Sequence, residues 1–182
     1  MKKLIPAFFA AIIFAISSCT GPVGPPGIPG PQGVPGAPGA PGGIEYAKAF
    51  EIVTNFTAAN EYSLVEPYGF EVFDSDVTLV YVLWDVLDDD TPVWRLLPQT
   101  AYLSNGILSY NYDFTVADVS IFLDGTVADF GTVPDAYRID QVFRVVVIPG
   151  EFVPGGRQDF TYEKVMKSYN ISEKSFTKRD LR

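Results

Sequence analysis

The chain has 182 residues and a formal net charge of −9, with 47% hydrophobic and 19% charged residues. It contains no histidine and one cysteine, which excludes Ser-His-Asp and Cys-His arrangements and removes the commonest metal ligand. The acidic excess argues against nucleic acid as a partner, because binding it requires a cationic surface. The sequence therefore predicts no catalytic residue set and no cofactor.

An apolar segment near the N-terminus predicts export. Two lysines precede the apolar run from Leu4 to Ile16, whose 13 residues are too few to span a bilayer, for which about 20 are needed. The tetrapeptide Ile16-Ser17-Ser18-Cys19 resembles the bacterial lipobox. The resemblance implies a signal peptide over 1–18, cleavage between Ser18 and Cys19, and a diacylglycerol on the Cys19 sulfur. We therefore expect a mature protein that begins at Cys19 and is held on the membrane by its acyl chains.

An ordinary secretory signal with an incidental cysteine is the alternative interpretation.

Loss of the two signal lysines leaves 11 basic and 22 acidic residues, a net charge of 11 − 22 = −11. If Cys19 is lipidated, the exported part keeps no thiol for a disulfide. Its stability must then come from its hydrophobic core.

A collagen-like stalk follows over residues 19–44. Eight Gly-X-Y triplets run without interruption, and seven of them contain proline. Glycine is the only residue that fits at the axis of a collagen triple helix, and proline presets the polyproline II dihedral angles. The triplet glycines are Gly21, Gly24, Gly27, Gly30, Gly33, Gly36, Gly39 and Gly42.

Two interpretations of this stalk are open. One is a homotrimer wound through the stalk, which membrane tethering would favour by raising the effective concentration. The other is a monomeric polyproline II spacer, because Pro-rich linkers adopt that conformation without partners. Either form is about 70 Å long at about 3.1 Å per residue.

Residues 45–158 show the pattern of an all-β domain. Apolar and polar residues alternate through Leu108–Val116 and Val119–Leu123, as in strands with one buried face. Val77–Leu87 is apolar on both faces, as in a central strand. Further strands are predicted over Tyr46–Phe56, Val93–Leu97 and Tyr137–Ile148. About seven short strands with polar turns predict an antiparallel β-sandwich.

Turn signals separate these strands. Asn105-Gly106 predicts a type I′ hairpin turn after Thr100–Ser104, and Asp124-Gly125 predicts a turn after the next strand. Asp88-Asp89-Asp90 precedes Thr91-Pro92 and is typical of a turn. The same three carboxylates are weak Ca²⁺ candidates, since hard cations bind oxygen ligands, but they lack EF-hand spacing.

The acidic and aromatic residues leave a carbohydrate site open. A glycosidase needs only two carboxylates, and the strongest candidates are Asp74, Asp76, Asp85, Asp88, Asp89 and Asp90. Trp84 lies in the most apolar strand and is expected in the core. Trp94 with its neighbour Arg95 is the candidate for an exposed ligand platform, although aromatic residues in strands usually serve packing.

The C-terminal residues 159–182 predict a short helix and a basic tail. Tyr162, Val165, Met166 and Tyr169 follow a helical spacing, so we expect one apolar stripe packed on the sandwich. Basic residues outnumber acidic ones beyond it. This tail either is solvated, rests on the protein's own acidic surface, or contacts an anionic partner.

The chain resembles the short bacterial collagen-like lipoproteins with a β-rich C-terminal domain. The resemblance rests on the lipobox, on the triplets and on the strand from Tyr137 to Gly150 with a helix after it. The resemblance implies a non-enzymatic protein of the cell envelope, in the outer membrane or at the cell surface. It would present the domain for a structural, adhesive or ligand-display role, with a surface glycan or a protein as ligand. The alternative function is a carbohydrate-binding or carboxylate-dependent carbohydrate-cleaving domain.

Overall fold

The computed structural model describes residues 47–153 and 155–182, which form two packed β-sheets and one short α-helix near the C-terminus. The strands are β1 (Lys48–Thr54), β2 (Ser63–Pro67), β3 (Val77–Val86), β4 (Pro92–Leu96), β5 (Gln99–Leu103), β6 (Gly106–Phe114), β7 (Asp118–Gly125), β8 (Gln141–Ile148) and β9 (Phe176–Asp180). The helix is α1 (Tyr162–Ser168). One sheet has the order β4-β3-β8-β1-β9 and the other β2-β7-β6-β5.

The sheets confirm a β-rich domain but correct two details of the predicted antiparallel sandwich of about seven strands. The described residues contain nine strands, and β9 pairs in parallel with β1. The chain reaches β9 by way of α1, which carries it across the five-stranded sheet. Strand β9 was missed because its sequence, Phe-Thr-Lys-Arg-Asp, has three charged residues and lies at a sheet edge, where charges discourage further pairing.

The main core lies between the two sheets. The inward residues of β1, β3 and β8 meet those of β5, β6 and β7, and ring pairs such as Phe56 with Phe143 cross edge to face at 5.9 Å. Phe56 and Phe143 have no solvent exposure. Burial of this apolar surface supplies the main driving force for folding.

A second core covers the outer face of the five-stranded sheet. Leu79 and Tyr81 of β3 and Val146 and Ile148 of β8 pack there against α1 and the residues after it. Strands β3 and β8 are therefore buried on both faces. This explains the two-sided apolar pattern of Val77–Leu87 and confirms that β3 is a central strand, paired with β4 and β8.

Helix α1 confirms the predicted apolar stripe. Val165 and Tyr169 are buried, while Tyr162 and Met166 are half-buried against the same core. Its N-terminal neighbour Thr161 accepts the first helical backbone hydrogen bond, from the Val165 amide.

The positions of two turns and of one strand start differ from the predicted ones. The β5–β6 hairpin is confirmed, but its turn residues are Ser104 and Asn105, and Gly106 already pairs with Leu103 in the ladder. Gly125 likewise belongs to β7. The predicted strand Tyr137–Ile148 begins only at Gln141, because Asp135–Tyr137 is a 3₁₀ turn and Asp140 has a φ of 52°.

The predictions for the signal peptide (1–18), Cys19 and the stalk (19–44) lie outside the described residues. Within the described part of the chain, no helix has the length and apolar character needed to cross a membrane.

Candidate functional site

The acidic turn between β3 and β4 is held by hydrogen bonds among its own residues. Asp90 has a φ of 64°, and its amide donates to the Leu87 carbonyl at 2.9 Å. The Asp89 carboxylate accepts a hydrogen bond from the Thr91 amide at 3.1 Å, and its hydrogen bonds with Thr91 lower its pKa. Asp88, Asp89 and Asp90 are all exposed. These contacts explain the aspartates as turn residues.

The other predicted carboxylates are dispersed. Asp76 accepts hydrogen bonds from the amides of Phe73 and Gly150, at 3.0 and 3.1 Å, and so holds two loops together. Asp85 accepts from the next amide in the chain. Over residues 47–153 and 155–182, no group of three or more histidine, cysteine, aspartate or glutamate side chains is placed to hold a metal ion.

The two tryptophans lie on opposite faces of the five-stranded sheet. Trp84 packs against the core between the sheets, with its ring 6.5 Å from that of Tyr110. It is half-buried, so it borders the core rather than lying inside it. The exposed Arg95 places its guanidinium 4.4 Å from the centre of the Trp84 ring. Arg95 therefore pairs with Trp84, and not with its sequence neighbour Trp94.

Trp94 is half-buried on the outer face, which differs from the expected exposed platform. Its ring stacks on Tyr162 with centroids 5.5 Å apart, and the Arg144 guanidinium lies 4.2 Å from its centre. Its indole Nε1 is buried and has no hydrogen-bond partner in the described residues. An unpaired buried donor of this kind costs about 1–3 kcal/mol.

A buried ion network underlies this packing. Arg144 of β8 and Glu51 of β1 are directly opposite each other in the ladder, and their side chains meet at 2.9 Å. Only 5% of Arg144 and 6% of Glu51 are exposed. The other partners of Arg144 come from α1 and the residues after it, the covering segment of the second core. Glu173 accepts two hydrogen bonds from Arg144, and the Tyr162 hydroxyl accepts another.

The network keeps Arg144 and Glu173 charged. Burial acts to lower the pKa of Arg144, but hydrogen bonds to Glu173, Glu51 and Tyr162 outweigh it and raise that pKa. The hydrogen bonds from Arg144 lower the pKa of Glu173. Burial raises the pKa of Tyr162, so its hydroxyl keeps its proton. The sequence carries a signal for the buried pair: Glu51 and Arg144 each interrupt an otherwise apolar strand.

A cleft of the described residues opens beside Trp94. It has a volume of about 860 Å³, with β4 and Gln99 on one side and residues 157–163 on the other. Trp94, Phe160 and Tyr162 supply aromatic surface, and Arg157 adds a basic residue. Arg95 also lines the cleft, but its guanidinium lies over Trp84 on the other face of the sheet. Sequence reasoning named Trp94 and Arg95 but could not find Arg157, because the two walls are some 60 residues apart in the chain.

The carboxylates of this cleft are Asp159 and Glu163, and none of the six predicted aspartates lies in it. Asp159 accepts a hydrogen bond from the Thr161 amide at 3.0 Å, and hydrogen bonding to Thr161 lowers its pKa. A charged carboxylate of this kind can accept hydrogen bonds from hydroxyl groups. The cleft thus combines aromatic walls, one basic residue, Arg157, and two carboxylates.

Comparison of the chain with protein-family models, with curated proteins and with solved structures finds no match.

Proposed function

We propose that this protein is a lipid-anchored protein of the bacterial cell envelope, held in the outer membrane or at the cell surface. Its collagen-like stalk presents the β domain for a structural, adhesive or ligand-display role, as a homotrimer joined through the stalk. The observation that carries the proposal is the run of eight Gly-X-Y triplets that begins two residues after Cys19.

Physical properties of the chain support this role. Acyl chains contribute about 0.8 kcal/mol per buried methylene, so a multiply acylated Cys19 holds a protein durably on a membrane. A stalk of about 70 Å separates the domain from the lipid headgroups. The described domain has a core on both faces of its five-stranded sheet, and such a core suits an exported chain whose only thiol carries lipid.

The anchor is tested by substitution of its cysteine. We expect Cys19→Ala to abolish incorporation of labelled fatty acid and to prevent processing by lipoprotein signal peptidase. Ser17→Ala, which keeps a small residue before the cleavage position, is the matched control and should be labelled normally. Equal lipid labelling of Cys19→Ala and the parent chain would refute the lipoprotein proposal.

The cleft beside Trp94 favours a second candidate function, saccharide binding. Aromatic rings contact the apolar faces of sugars, while planar charged side chains exchange hydrogen bonds with sugar hydroxyls. Cleavage is less well supported, since a general acid needs a raised pKa and that of Asp159 is lowered. Glycoside turnover that disappears in both Asp159→Asn and Glu163→Gln would contradict a purely binding role.

A further inference from the structure

One of the sheet edges lacks the features that usually prevent an exposed strand from pairing with another chain. Charged residues, prolines and bulges protect such edges. Edge strand β4 begins with Pro92 and carries Arg95. Strand β2 ends in Glu66 and Pro67, and β9 has three charged residues. Strand β5, with the sequence Gln-Thr-Ala-Tyr-Leu, has neither charge nor proline, so of the four edges that the structure describes it alone is open to pairing.

The β5–β6 hairpin is uncharged almost throughout. Residues 96–112 include no charged residue, although the chain has 22 acidic and 13 basic residues. Tyr102 of β5 lies opposite Ile107 of β6, and both are exposed on the outer face of the sheet, Tyr102 by 83%. An exposed apolar pair beside an open edge is typical of a contact surface.

The backbone of β5 directs four hydrogen-bonding groups towards the open edge. The Ile107 carbonyl accepts a hydrogen bond from the Thr126 amide at 2.9 Å, and the Ile107 amide donates to the Thr126 hydroxyl at 2.9 Å. Ile107 thus turns its groups away from its partner Tyr102, and in an antiparallel ladder Tyr102 must do the same. The groups of Thr100, two residues earlier, face the same edge. No hydrogen bond with another described residue takes up these four groups.

A second copy of β5 satisfies all four groups. When two β5 strands pair antiparallel about Ala101, Thr100 of each copy faces Tyr102 of the other. Each of these two pairs exchanges two backbone hydrogen bonds, and the two four-stranded sheets become one continuous sheet. The two Tyr102 side chains are diagonal neighbours, about 7–8 Å apart and within reach of each other.

Charge also favours a second copy at this edge. Copies of an acidic chain repel each other wherever their carboxylates meet. On the outer face, Asp124 of β7 lies two strands from the edge, opposite Ser109 of β6. In the paired sheet the two Asp124 side chains are five strand spacings apart, about 24 Å, where salt largely screens their repulsion. Pairing of two β9 strands about Lys178 would instead place two lysines directly opposite each other.

We propose that the open edge of β5 binds β5 of a second copy of this chain. The contact needs neither the anchor nor the stalk, so it goes beyond the function proposed above. Between stalked copies it links one protein to another, on one membrane or across two facing membranes.

Cysteine pairing tests the contact and its register in the full-length chain. Thr100→Cys and Tyr102→Cys change exposed residues, and Cys19 is the only cysteine of the parent chain. The two variants, with tags of different size, are produced in the same cells, which are then treated with an oxidant. Residues 100 and 102 of opposite copies have Cα atoms about 5.5 Å apart, which a disulfide bridges, whereas like residues are too distant. We expect mixed dimers to exceed same-variant dimers at least about tenfold on a non-reducing gel.

Val65→Cys is the matched control, because Val65 is exposed on β2, at the opposite edge of the same sheet. Combined with Thr100→Cys, it should form no more mixed dimer than the parent chain does. As much mixed dimer with Val65→Cys as with Tyr102→Cys would show random collision and overturn the contact. Same-variant dimers that equal the mixed ones, or no dimer at all, would overturn it too.

A charge placed on the edge should abolish the contact. Tyr102→Lys introduces a residue that protects natural edges, and Val65→Lys is the same change at the opposite edge. In sedimentation of the detergent-solubilised full-length protein, the parent and Val65→Lys should have a larger mass than Tyr102→Lys. Both positions are exposed, and unchanged thermal unfolding would confirm that the fold is kept. Equal masses for the parent and Tyr102→Lys would overturn the proposal.

Discussion

Replacing Arg144 should destabilise the domain more than any other change of a charged residue that we consider. In Arg144→Met, Glu51 loses its buried partner at 2.9 Å and keeps only Lys178, at 3.5 Å and on an 80% exposed side chain. Breaking a buried ion pair from one side costs about 3–5 kcal/mol, because the remaining charge stays desolvated. Whole domains are stable by only about 5–15 kcal/mol. We therefore expect a large fall in the free energy of unfolding.

The assay is urea unfolding of the chain from Thr20 to Arg182, followed by tryptophan fluorescence and by circular dichroism. A double variant, Arg144→Met with Glu51→Leu, separates charge from packing. It removes both buried charges and leaves Glu173, which is 72% exposed on its side chain and can be solvated. We expect it to regain most of the stability that Arg144→Met loses, since an apolar replacement of a buried pair is often neutral. A cost below about 1 kcal/mol for Arg144→Met would refute the reasoning, as would additive losses in the double variant.

The same network predicts a pH dependence. Arg144 lowers the pKa of Glu173 below its ordinary value of 4.5 in the folded chain. The stabilisation is therefore fully present above that value and is lost as the pH falls through the folded pKa. The stability difference between the parent chain and Glu173→Gln should shrink below about pH 4.5. A difference that stays constant from pH 7 to pH 3 would contradict the ion pair.

Three further substitutions test glycine positions. A Cβ added at Gly125, where φ is 136°, would lie 2.0 Å from the Ile107 carbonyl oxygen. We therefore expect Gly125→Ala to lower the free energy of unfolding by about 1–3 kcal/mol or more. Gly155→Ala is the control and should be neutral in the same unfolding assay, because no atom lies within 4 Å of the added Cβ. In the stalk, Gly30→Ala should abolish a cooperative collagen-type melt and the trimeric mass of the chain from Thr20 to Arg182, because a methyl group does not fit at the triple-helix axis. Cross-linking that finds only monomers for the membrane-attached parent chain would refute the trimer.

Local patterns predicted the local structure. The alternation through Leu108–Val116 yielded β6, and the two-sided apolar run yielded the central strand β3. The helical spacing from Tyr162 yielded α1 and the apolar stripe that it packs on the sandwich. Each of these features depends on the spacing at which side chains return to one buried face, every second residue in a strand and every three to four residues in a helix. The sequence shows this spacing directly.

Long-range pairing could not be predicted in the same way. Nothing in the sequence of β9 specifies β1 as its neighbour, and the charged residues of β9 read as a solvated tail. Part of that basic tail does rest on the protein's own groups, since Arg179 pairs with Glu66 at 2.8 Å and donates to the carbonyls of Pro67 and Tyr68. Trp94 was expected to be exposed because it lies beside Arg95 just after the acidic turn. The ring that stacks on it, Tyr162, lies 68 residues further along the chain, and the local sequence gives no sign of that contact.

The cleft and the buried ion network share one structural element. Tyr162 forms part of the cleft wall, stacks on Trp94 and accepts a hydrogen bond from Arg144. Glu173, eleven residues further on, closes the network from above. The segment that covers the second core thus also shapes the cleft, and loss of Arg144 would loosen one wall of the cleft as well as the core. A ligand that binds only the folded cleft must in turn stabilise the covering segment, since binding to the native state alone shifts the unfolding equilibrium by mass action.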